Sequence, residues 1–339
     1  TVLWGIYALL QYPSGRLSDR LSRKTLLVAG LALLAIGFLA VGLAPTYPLF
    51  LLGAAIIGVG SGLYPTSARA LVSDLFVERR GAAFGLHSAS GDLGGVAAAG
   101  LATLVISVAV WRTAFVPLVV VAVLVALGIH WWSREAYVVS RPELAIGRTV
   151  RRLLGQAENR WLLVAYILFA FTWQAATGFL PTYLQLGKGF SPLIANTAFA
   201  VLFGVGVLVK PLAGSLADRF RRERMAVASL ALAAASLVLV IVAASPLLVV
   251  LGVVTFAAGL LSYPPVMQAF LMDTFPDASY GGDLGAMRSI YIGLGALGPT
   301  YVGSVAAVAN YDLAFAGLVA ALVVAGVLIA TTASGSGSV

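Results

Sequence analysis

Long apolar segments separated by short polar loops run through the whole chain. Most of the segments hold about 18 to 25 residues, enough for a helix to cross a hydrocarbon core about 30 Å thick. Because polar and apolar positions do not alternate strictly, the pattern favours helices over barrel strands. It predicts an all-α integral membrane protein with eleven spans, at residues 1–15, 25–44, 48–72, 82–109, 113–132, 161–182, 191–213, 226–244, 247–271, 284–309 and 312–332.

Two polar phrases at the ends of apolar segments repeat each other. The first covers residues 15–24 and contains Asp19; the second covers residues 214–222 and contains Asp218, 199 positions later. The same offset relates two further sets of positions: Tyr64, Pro65 and Asp74, and Tyr263, Pro264 and Asp273. An offset that is held over separate segments indicates a duplicated membrane unit, the construction of many secondary transporters.

The duplication predicts an N-terminal helical bundle at 1–132, a cytoplasmic linker at 133–160, a C-terminal bundle at 161–333 and a flexible tail at 334–339. By the 199-residue offset, the helix that ends at Asp19 would begin about seven residues before Thr1. No segment in front of it corresponds to 161–182. We therefore expect a first helix, and the start of the second, to be missing from this chain.

The composition is typical of a membrane protein, and the distribution of charge indicates which kind of partner the chain contacts. Hydrophobic residues make up 60% of the chain and charged residues only 10%, with a net charge of +8. Sixteen of the 21 Lys and Arg residues fall in alternate loops, which the positive-inside bias assigns to the cytoplasm. This distribution indicates a multi-pass protein of the cell (inner or plasma) membrane, with cytoplasmic termini in the full-length protein. It favours contact with the lipid bilayer over contact with nucleic acid.

The chain lacks the residues that several classes of activity require. The chain has no Cys, so thiolate metal sites are excluded, and it has no phosphate-binding loop. The two His residues lie far apart, and no span holds a pair of carboxylates, as a membrane enzyme would need. We expect neither enzyme activity nor a cofactor or metal.

The repeated phrase resembles the loop motif of the major facilitator superfamily, Gly-x-Leu-Ala-Asp-Arg-x-Gly-Arg-Lys. The matching residues are Gly15, Leu17, Asp19, Arg20, Arg23 and Lys24 in the first copy, and Gly214, Leu216, Ala217, Asp218, Arg219 and Arg222 in the second. The resemblance covers essentially the whole chain and implies that family's fold of two pseudo-symmetric six-helix bundles. It also implies a secondary transporter that works by alternating access.

The resemblance further implies a cytoplasmic gate. Asp19 would brace the helix that begins near Asp283, since a carboxylate is stabilised at a positive helix N-terminus. Two ion pairs would accompany it: Arg23 with Asp74, and Arg222 with Asp273. The alternative is a charge cluster that only sets orientation. Two departures weaken an assignment to the drug–proton antiporters: Ala54 replaces a frequent arginine, and 91–100 contains glycines without a proline.

Charged residues inside apolar spans are costly and are candidates for function. Asp92 and Lys210 lie about 16 and 12 Å from the cytoplasmic ends of the fifth and eighth helices, which touch in the resembled fold. We predict an ion pair between them that bridges the two halves and couples proton or solute binding to rocking. The alternative is that Lys210 reaches out to the cytoplasm while Asp92 bonds Ser88, Ser90 or backbone.

The remaining candidate site residues have cationic, amide, hydroxyl or aromatic side chains. Arg69 and Arg288 either reach the cytoplasmic surface or pair at the gate, or they join Lys210 in making the inner cavity electropositive for an anion. Trp173, Gln174 and Thr177 lie near the membrane midplane, just before Gly178 and Pro181, where a broken helix points to a solute site. Tyr64 and Tyr263 are candidate cavity walls.

These features predict a monomeric secondary active transporter for a small organic solute, with an organic anion favoured, coupled to protons as symporter or antiporter. The close alternative is a proton-coupled antiporter that exports amphipathic or multidrug compounds. A transport-inactive membrane receptor is a further alternative.

Overall fold

The computed structural model is helical almost throughout. It describes residues 2–108, 111–138, 146–275 and 280–335. Within these ranges, the side chains of residues 2–5, 19, 99, 100, 102–104, 106–108, 146, 280 and 333–335 are not described. The predicted gate side chain of Asp19 therefore lies outside the described part of the molecule.

Thirteen α-helices occur in the described ranges. They are α1 (Val2–Arg20), α2 (Arg23–Leu43), α3 (Tyr47–Leu75), α4 (Arg80–Val108), α5 (Phe115–Trp132), α6 (Ile146–Gly155), α7 (Ala157–Thr182), α8 (Pro192–Ala217), α9 (Arg222–Val242), α10 (Pro246–Thr274), α11 (Tyr280–Gly295), α12 (Leu297–Val308) and α13 (Tyr311–Gly335). Short 3-10 turns cover Val77–Arg79 and Trp111–Ala114, and a π-turn at Tyr183–Gly187 ends α7.

Every predicted span corresponds to a helix. Among the described residues, nine segments are long and apolar enough to cross a membrane by length and composition, and the chain is all-α as predicted. The other two predicted spans are occupied by α1 and α4, of 19 and 29 residues. The fold class predicted from the hydrophobic pattern is thus confirmed.

Two predicted spans differ in their details. The structure begins α7 at Ala157, four residues before the predicted start, inside the predicted linker. The span predicted at 284–309 is two helices, α11 and α12, which are interrupted at Ala296. Gly295 and Pro299 account for the break, because glycine weakens a helix and the proline ring clashes with the carbonyl four residues earlier.

The helix pairs α2–α3 and α9–α10 pack in the same way, position for position. A Cβ on Gly53 would come within 2.8 Å of the Val41 side chain, and one on Gly252 would come within 2.8 Å of Val240. A Cβ on Gly60 would likewise meet the backbone of Gly30 and Leu34. In the second helix pair, a Cβ on Gly259 would meet the backbone of Ser229 and Ala233. Every one of these residues is displaced by 199 positions, so the duplication seen in the sequence extends to the backbone contacts.

The chain divides into two compact units. The first comprises Thr1–Leu75, Gly94–Leu153 and Thr274–Ser289, and the second comprises Phe76–Leu93, Leu154–Asp273 and Ile290–Val339. This grouping places the beginning of α4 with α8 and the beginning of α11 with α1. In both places the two helices meet at glycines. Because glycine has no side chain, the two backbones can approach each other closely. The predicted division into bundles at 1–132 and 161–333 stays a proposal.

Arg112 and Lys188 lie in the loops that carry few charges, and each of them contacts the C-terminus of a helix. Arg112 Nη2 donates a hydrogen bond of 2.8 Å to the Ala44 carbonyl at the end of α2. Lys188 Nζ donates one of 2.5 Å to the Ile241 carbonyl at the end of α9. A cation is favourable there because the last carbonyls of a helix lack partners and carry partial negative charge. These residues therefore have a structural role at the end of the helices opposite the basic loops.

Candidate functional site

Glycines bring α4 and α8 into backbone contact at the basic loops. A Cβ on Gly214 would overlap the carbonyl oxygen of Gly81, and a Cβ on Gly85 would overlap the carbonyl of Lys210. Farther along, a Cβ on Gly206 would lie 2.5 Å from Asp92 Oδ2. The first glycine of the second motif copy, Gly214, is therefore required by the close approach of these two helices.

The motif aspartate Asp218 caps α4. Its Oδ1 accepts a hydrogen bond from the Gly81 amide over 2.7 Å, and its Oδ2 accepts one from the Ala82 amide over 2.8 Å. Both amides belong to the first turn, where they have no partner within the helix and where negative charge is favourable. In the second copy, the motif carboxylate thus holds the start of a neighbouring helix, the arrangement expected for Asp19 in the first.

The ion pairs expected beside the motif are present in both copies. Arg23 Nε lies 3.1 Å from Asp74 Oδ2, and Arg222 forms an ion pair with Asp273. Arg80 Nη1 also lies 3.3 Å from Asp273 Oδ1. The remaining motif arginines, Arg20 and Arg219, are exposed.

Asp92 and Lys210 meet between α4 and α8. Lys210 Nζ lies 2.6 Å from Asp92 Oδ2, and each side chain is only 10% exposed. The lysine therefore does not reach out to the surface, which was the alternative considered from the sequence. Glycines allow this contact: a Cβ on Gly85 would meet the Lys210 backbone, and a Cβ on Gly206 would meet the Asp92 carboxylate.

A second polar cluster joins α1 to α11, where Gly15 and Gly285 allow close contact. Arg288 is 6% exposed; its Nε donates to Gln11 Oε1 over 2.9 Å, and its Nη2 donates to the Tyr7 hydroxyl over 2.9 Å. Gln11 is fully buried and donates in turn to the Tyr7 carbonyl over 3.0 Å. We call Tyr7, Gln11 and Arg288 the Arg288 cluster.

Gln11 and Tyr7 were not predicted as site residues. Gln11 precedes Lys210 by 199 positions, so the two occupy the same place in the two repeats. Each contact joins the two repeats: Asp92 of the first meets Lys210 of the second, and Gln11 of the first meets Arg288 of the second. The signal that could have identified Gln11 was present in the offset, although a single glutamine within an apolar span is not conspicuous.

Arg69 lies beside this cluster. Its charge acts on both the Tyr7 and the Tyr64 phenols, and its Nη1 donates to the Pro65 carbonyl over 3.1 Å. Arg69, Tyr7 and Tyr64 are each partly exposed, whereas Gln11 and Arg288 are buried. Two cations and two phenols therefore share one region of the first unit.

Among the candidates on α7, Gln174 faces the break between α11 and α12. Gln174 Nε2 donates to the Ile292 carbonyl over 3.1 Å, and a Cβ on Gly295 would lie 2.6 Å from that nitrogen. Thr177 bonds the Trp173 carbonyl of its own helix over 2.8 Å. The Trp173 ring packs edge-on against Phe203, with centroids 6.1 Å apart. Gln174 therefore stabilises the interrupted helix.

Tyr263 lies inside an aromatic group rather than at an exposed surface. It is fully buried, and its ring centroid lies 4.5 Å from that of Phe169 and 5.4 Å from that of Tyr166. Tyr166 in turn stacks on Tyr291 at 4.2 Å. In this structure Tyr263 supports the core of the second unit, while Tyr64, its counterpart, is partly exposed.

The amphipathic helix α6 docks on the basic ends of α1 and α11. Arg152 Nη2 lies 2.5 Å from Asp283 Oδ1, and the Asp283 side chain is only 1% exposed. Thr149 and Leu153 are also buried, and Thr149 is hydrogen-bonded to the Tyr12 hydroxyl at 3.3 Å. Leu153 is 1% exposed and packs against protein.

We expect Asp283→Asn to weaken the docking of α6. Losing the charge would cost about 1–3 kcal/mol, because the carboxylate is buried and hydrogen-bonded to a guanidinium. The variant should unfold at lower temperature in detergent and be cleaved faster by trypsin within 146–155. Asp74→Asn is the matched control: its carboxylate is half exposed, so the change should cost about 0–1 kcal/mol. Equal effects of the two substitutions would contradict a docking role for Asp283.

The sequence profile of the Major Facilitator Superfamily matches residues 1–209 and 162–335, which together cover nearly all of the chain. The chain belongs to the major facilitator superfamily. As a member, it is a multi-pass membrane protein and a secondary transporter, and it is not an enzyme. The family predicted from the two motif copies is thereby confirmed.

Relatives in the superfamily transport different solutes. The chain is 26% identical to the glycerol-3-phosphate transporter of Bacillus subtilis, covering 96% of this chain and 81% of that protein. It is 25% identical to the Probable sulfoacetate transporter SauU of Cupriavidus necator, covering 64% of this chain and 54% of that protein. This chain therefore spans only about half the length of SauU.

A solved superfamily member shares the fold. The structure of the E. coli fucose:proton symporter FucP aligns with a TM-score of 0.82, covering 98% of this chain and 90% of that one. The sequences are 18% identical. At this identity the likeness extends to the helical architecture and to nothing finer.

Proposed function

We propose that this protein moves a small organic solute across the membrane by alternating access, with proton coupling through Asp92 and Lys210. The observation that carries this proposal is their 2.6 Å contact within a largely apolar helix pair. Ionisable residues inside a membrane protein are costly, and they are commonly part of an ion or substrate pathway. Helix mobility is supported by the glycines along the same contact.

The coupling follows from desolvation. While Lys210 faces Asp92, each charge compensates the other and both groups stay ionised. When α4 and α8 separate, the carboxylate loses its cation, and an isolated charge in a dry interface is unfavourable. Asp92 then takes up a proton from whichever side is open. Release of that proton on re-formation of the pair would tie one proton to each cycle.

The proposed gate lies at the basic loops of the same helices. Asp218 supports it by capping α4, and the Arg222–Asp273 pair supports it beside the loop. We propose that Asp19 and the Arg23–Asp74 pair act in the same way in the first copy. The positive-inside bias supports placing these loops and both termini of the full-length protein in the cytoplasm, in the cell membrane. We propose that the protein works as a monomer.

Export of amphipathic compounds by proton exchange is the second candidate. Asp92 could carry the proton in such an exporter as well as in an importer. The Asp92–Lys210 ion pair therefore does not favour one direction of transport over the other. The two candidates differ in solute and in the direction of the gradient that drives movement. Uptake into proteoliposomes with the gradient imposed in either direction separates a symporter from an antiporter.

We expect Asp92→Asn to abolish proton-driven transport while leaving passive exchange of the solute. An amide can neither release a proton nor balance Lys210. The full-length protein is screened by thermal shift against a solute library, and flux of the best solute is then measured with and without a pH gradient. Glu223→Gln is the control, since Glu223 pairs with Arg221 at 3.6 Å outside the spans. Unchanged gradient-driven flux in Asp92→Asn would reject the coupling role.

A further inference from the structure

The middle of α4 is exposed on all sides. Ala89 is buried before this stretch and Val105 is buried after it, but every residue from 93 to 98 is exposed. Six successive residues go more than once round a helix, so no side of the stretch is covered by described protein. The helix nevertheless continues through it without a break. A stretch with so few contacts bends more easily than the packed parts on either side.

Two adjacent glycines, Gly94 and Gly95, lie in this stretch, and packing does not account for them. A Cβ on either would meet no described atom within 4 Å. Gly81 and Gly85 of the same helix differ, because a Cβ on either would overlap the backbone of α8. A glycine inside a helix lowers its stability relative to alanine, since it leaves the backbone more freedom. Gly94 and Gly95 therefore give the helix a flexible point that its contacts do not require.

The second copy is interrupted at the corresponding point. The contact glycines of α4 recur 200 positions later in α11: Gly85 corresponds to Gly285, whose Cβ would overlap the backbone of α1. By this offset Gly95 corresponds to Gly295, which is the last residue of α11. The next helix, α12, begins two residues later. One copy is thus broken at the place where the other is continuous but unpacked.

The neighbours of α4 change at the same glycines. The helix is grouped with the second compact unit up to Leu93 and with the first unit from Gly94 onward. The grouping of α11 also changes along the helix, between Ser289 and Ile290. When the two parts of a helix pack with different neighbours, a few residues between them can take up the change of backbone angles that a movement requires.

We propose that Gly94 and Gly95 form a hinge in α4. Bending there lets the first part of the helix swing away from α8 while the rest keeps its own neighbours. The Asp92–Lys210 pair lies immediately before the hinge, so it holds the part that moves. This inference rests on the proposed alternating access, and it assigns the point at which α4 bends.

The test stiffens the hinge without filling any occupied space. Gly94→Ala/Gly95→Ala adds two methyl groups that meet no described atom, and alanine favours the helix more than glycine does. In detergent, the full-length double variant should therefore unfold about 1–4 °C above the parent. Gly204→Ala in α8 is the matched control, because a Cβ there also meets no described atom within 4 Å.

Movement of α4 is then followed by labelling. Ala89→Cys places the only thiol of the chain on the first part of α4, at a position that is 2% exposed. A maleimide reaches this thiol when α4 leaves α8. Labelling of the Gly94→Ala/Gly95→Ala variant should be at least about tenfold slower than that of the parent, because local opening becomes rarer. Gly204→Ala should label at the rate of the parent.

The outcomes separate the hinge from proton coupling. Asp92→Asn should keep passive exchange of the solute, whereas Gly94→Ala/Gly95→Ala should slow passive and gradient-driven flux alike. The hinge is overturned if the double variant is stabilised but labels as fast as the parent. It is also overturned if the double variant is less stable than the parent, since packing would then require the glycines. Equal slowing by Gly204→Ala would assign the effect to stability alone and reject the hinge.

Discussion

Gly214→Val should keep α4 and α8 apart at the basic loops and reduce transport at least about a hundredfold. The added Cβ would overlap the Gly81 carbonyl oxygen, which belongs to backbone and cannot swing away as a side chain could. Overpacking of this kind typically costs about 1–3 kcal/mol. The two hydrogen bonds that Asp218 accepts from the first turn of α4 depend on the same approach and should be lost with it.

Separation of the helices can be measured with one thiol. The chain has no cysteine, so Ala89→Cys introduces a single reactive group, at a position on α4 that is 2% exposed. In the Gly214→Val background this thiol should react with a maleimide at least about tenfold faster than in the parent. Gly204→Val is the matched control on the same helix, because a Cβ there meets nothing within 4 Å. Slow labelling in both variants would show that α4 and α8 tolerate the valine without separating.

Lys210→Met should produce the largest loss of stability among single substitutions at the intramembrane pair. It leaves Asp92 buried without a cation, and breaking a buried ion pair in this way typically costs about 3–5 kcal/mol. Thermal unfolding of the variant and of the wild type in detergent measures this loss.

The double variant Lys210→Met/Asp92→Asn separates charge from packing. With both charges removed, the double variant should regain most of the stability lost in Lys210→Met. Such a cycle isolates the interaction between the two side chains. If the single and double variants were equally unstable at pH 8, packing around Lys210 rather than its charge would be responsible.

Apolar runs sufficed to predict the helices because a span must satisfy all its backbone groups internally. Every predicted span holds a helix, and α1 and α4 are present where the pattern placed them. The interruption at Ala296 was not predicted, since it depends on how Gly295 meets α7 as well as on the local sequence. The docking of α6 was not predicted either, because amphipathicity identifies an apolar face but not whether lipid or protein covers it.

Charged site residues were easier to predict than their neutral partners. Asp92 and Lys210 are conspicuous in an apolar span, and their depths could be compared through the helical rise. Gln11 and Tyr7 carry no charge, so only their contact with Arg288 gives them importance. Arg152 was assigned to a loop, where arginines are common, and its partner Asp283 became apparent only from the fold.

The duplicated chain places Lys210 in one copy and Gln11 at the same position of the other. Copies that began alike have thus diverged at one depth: α4 and α8 meet there through a carboxylate and a lysine, and α1 and α11 meet through an amide and a guanidinium. The two helix pairs therefore carry different chemistry at a corresponding depth of the molecule.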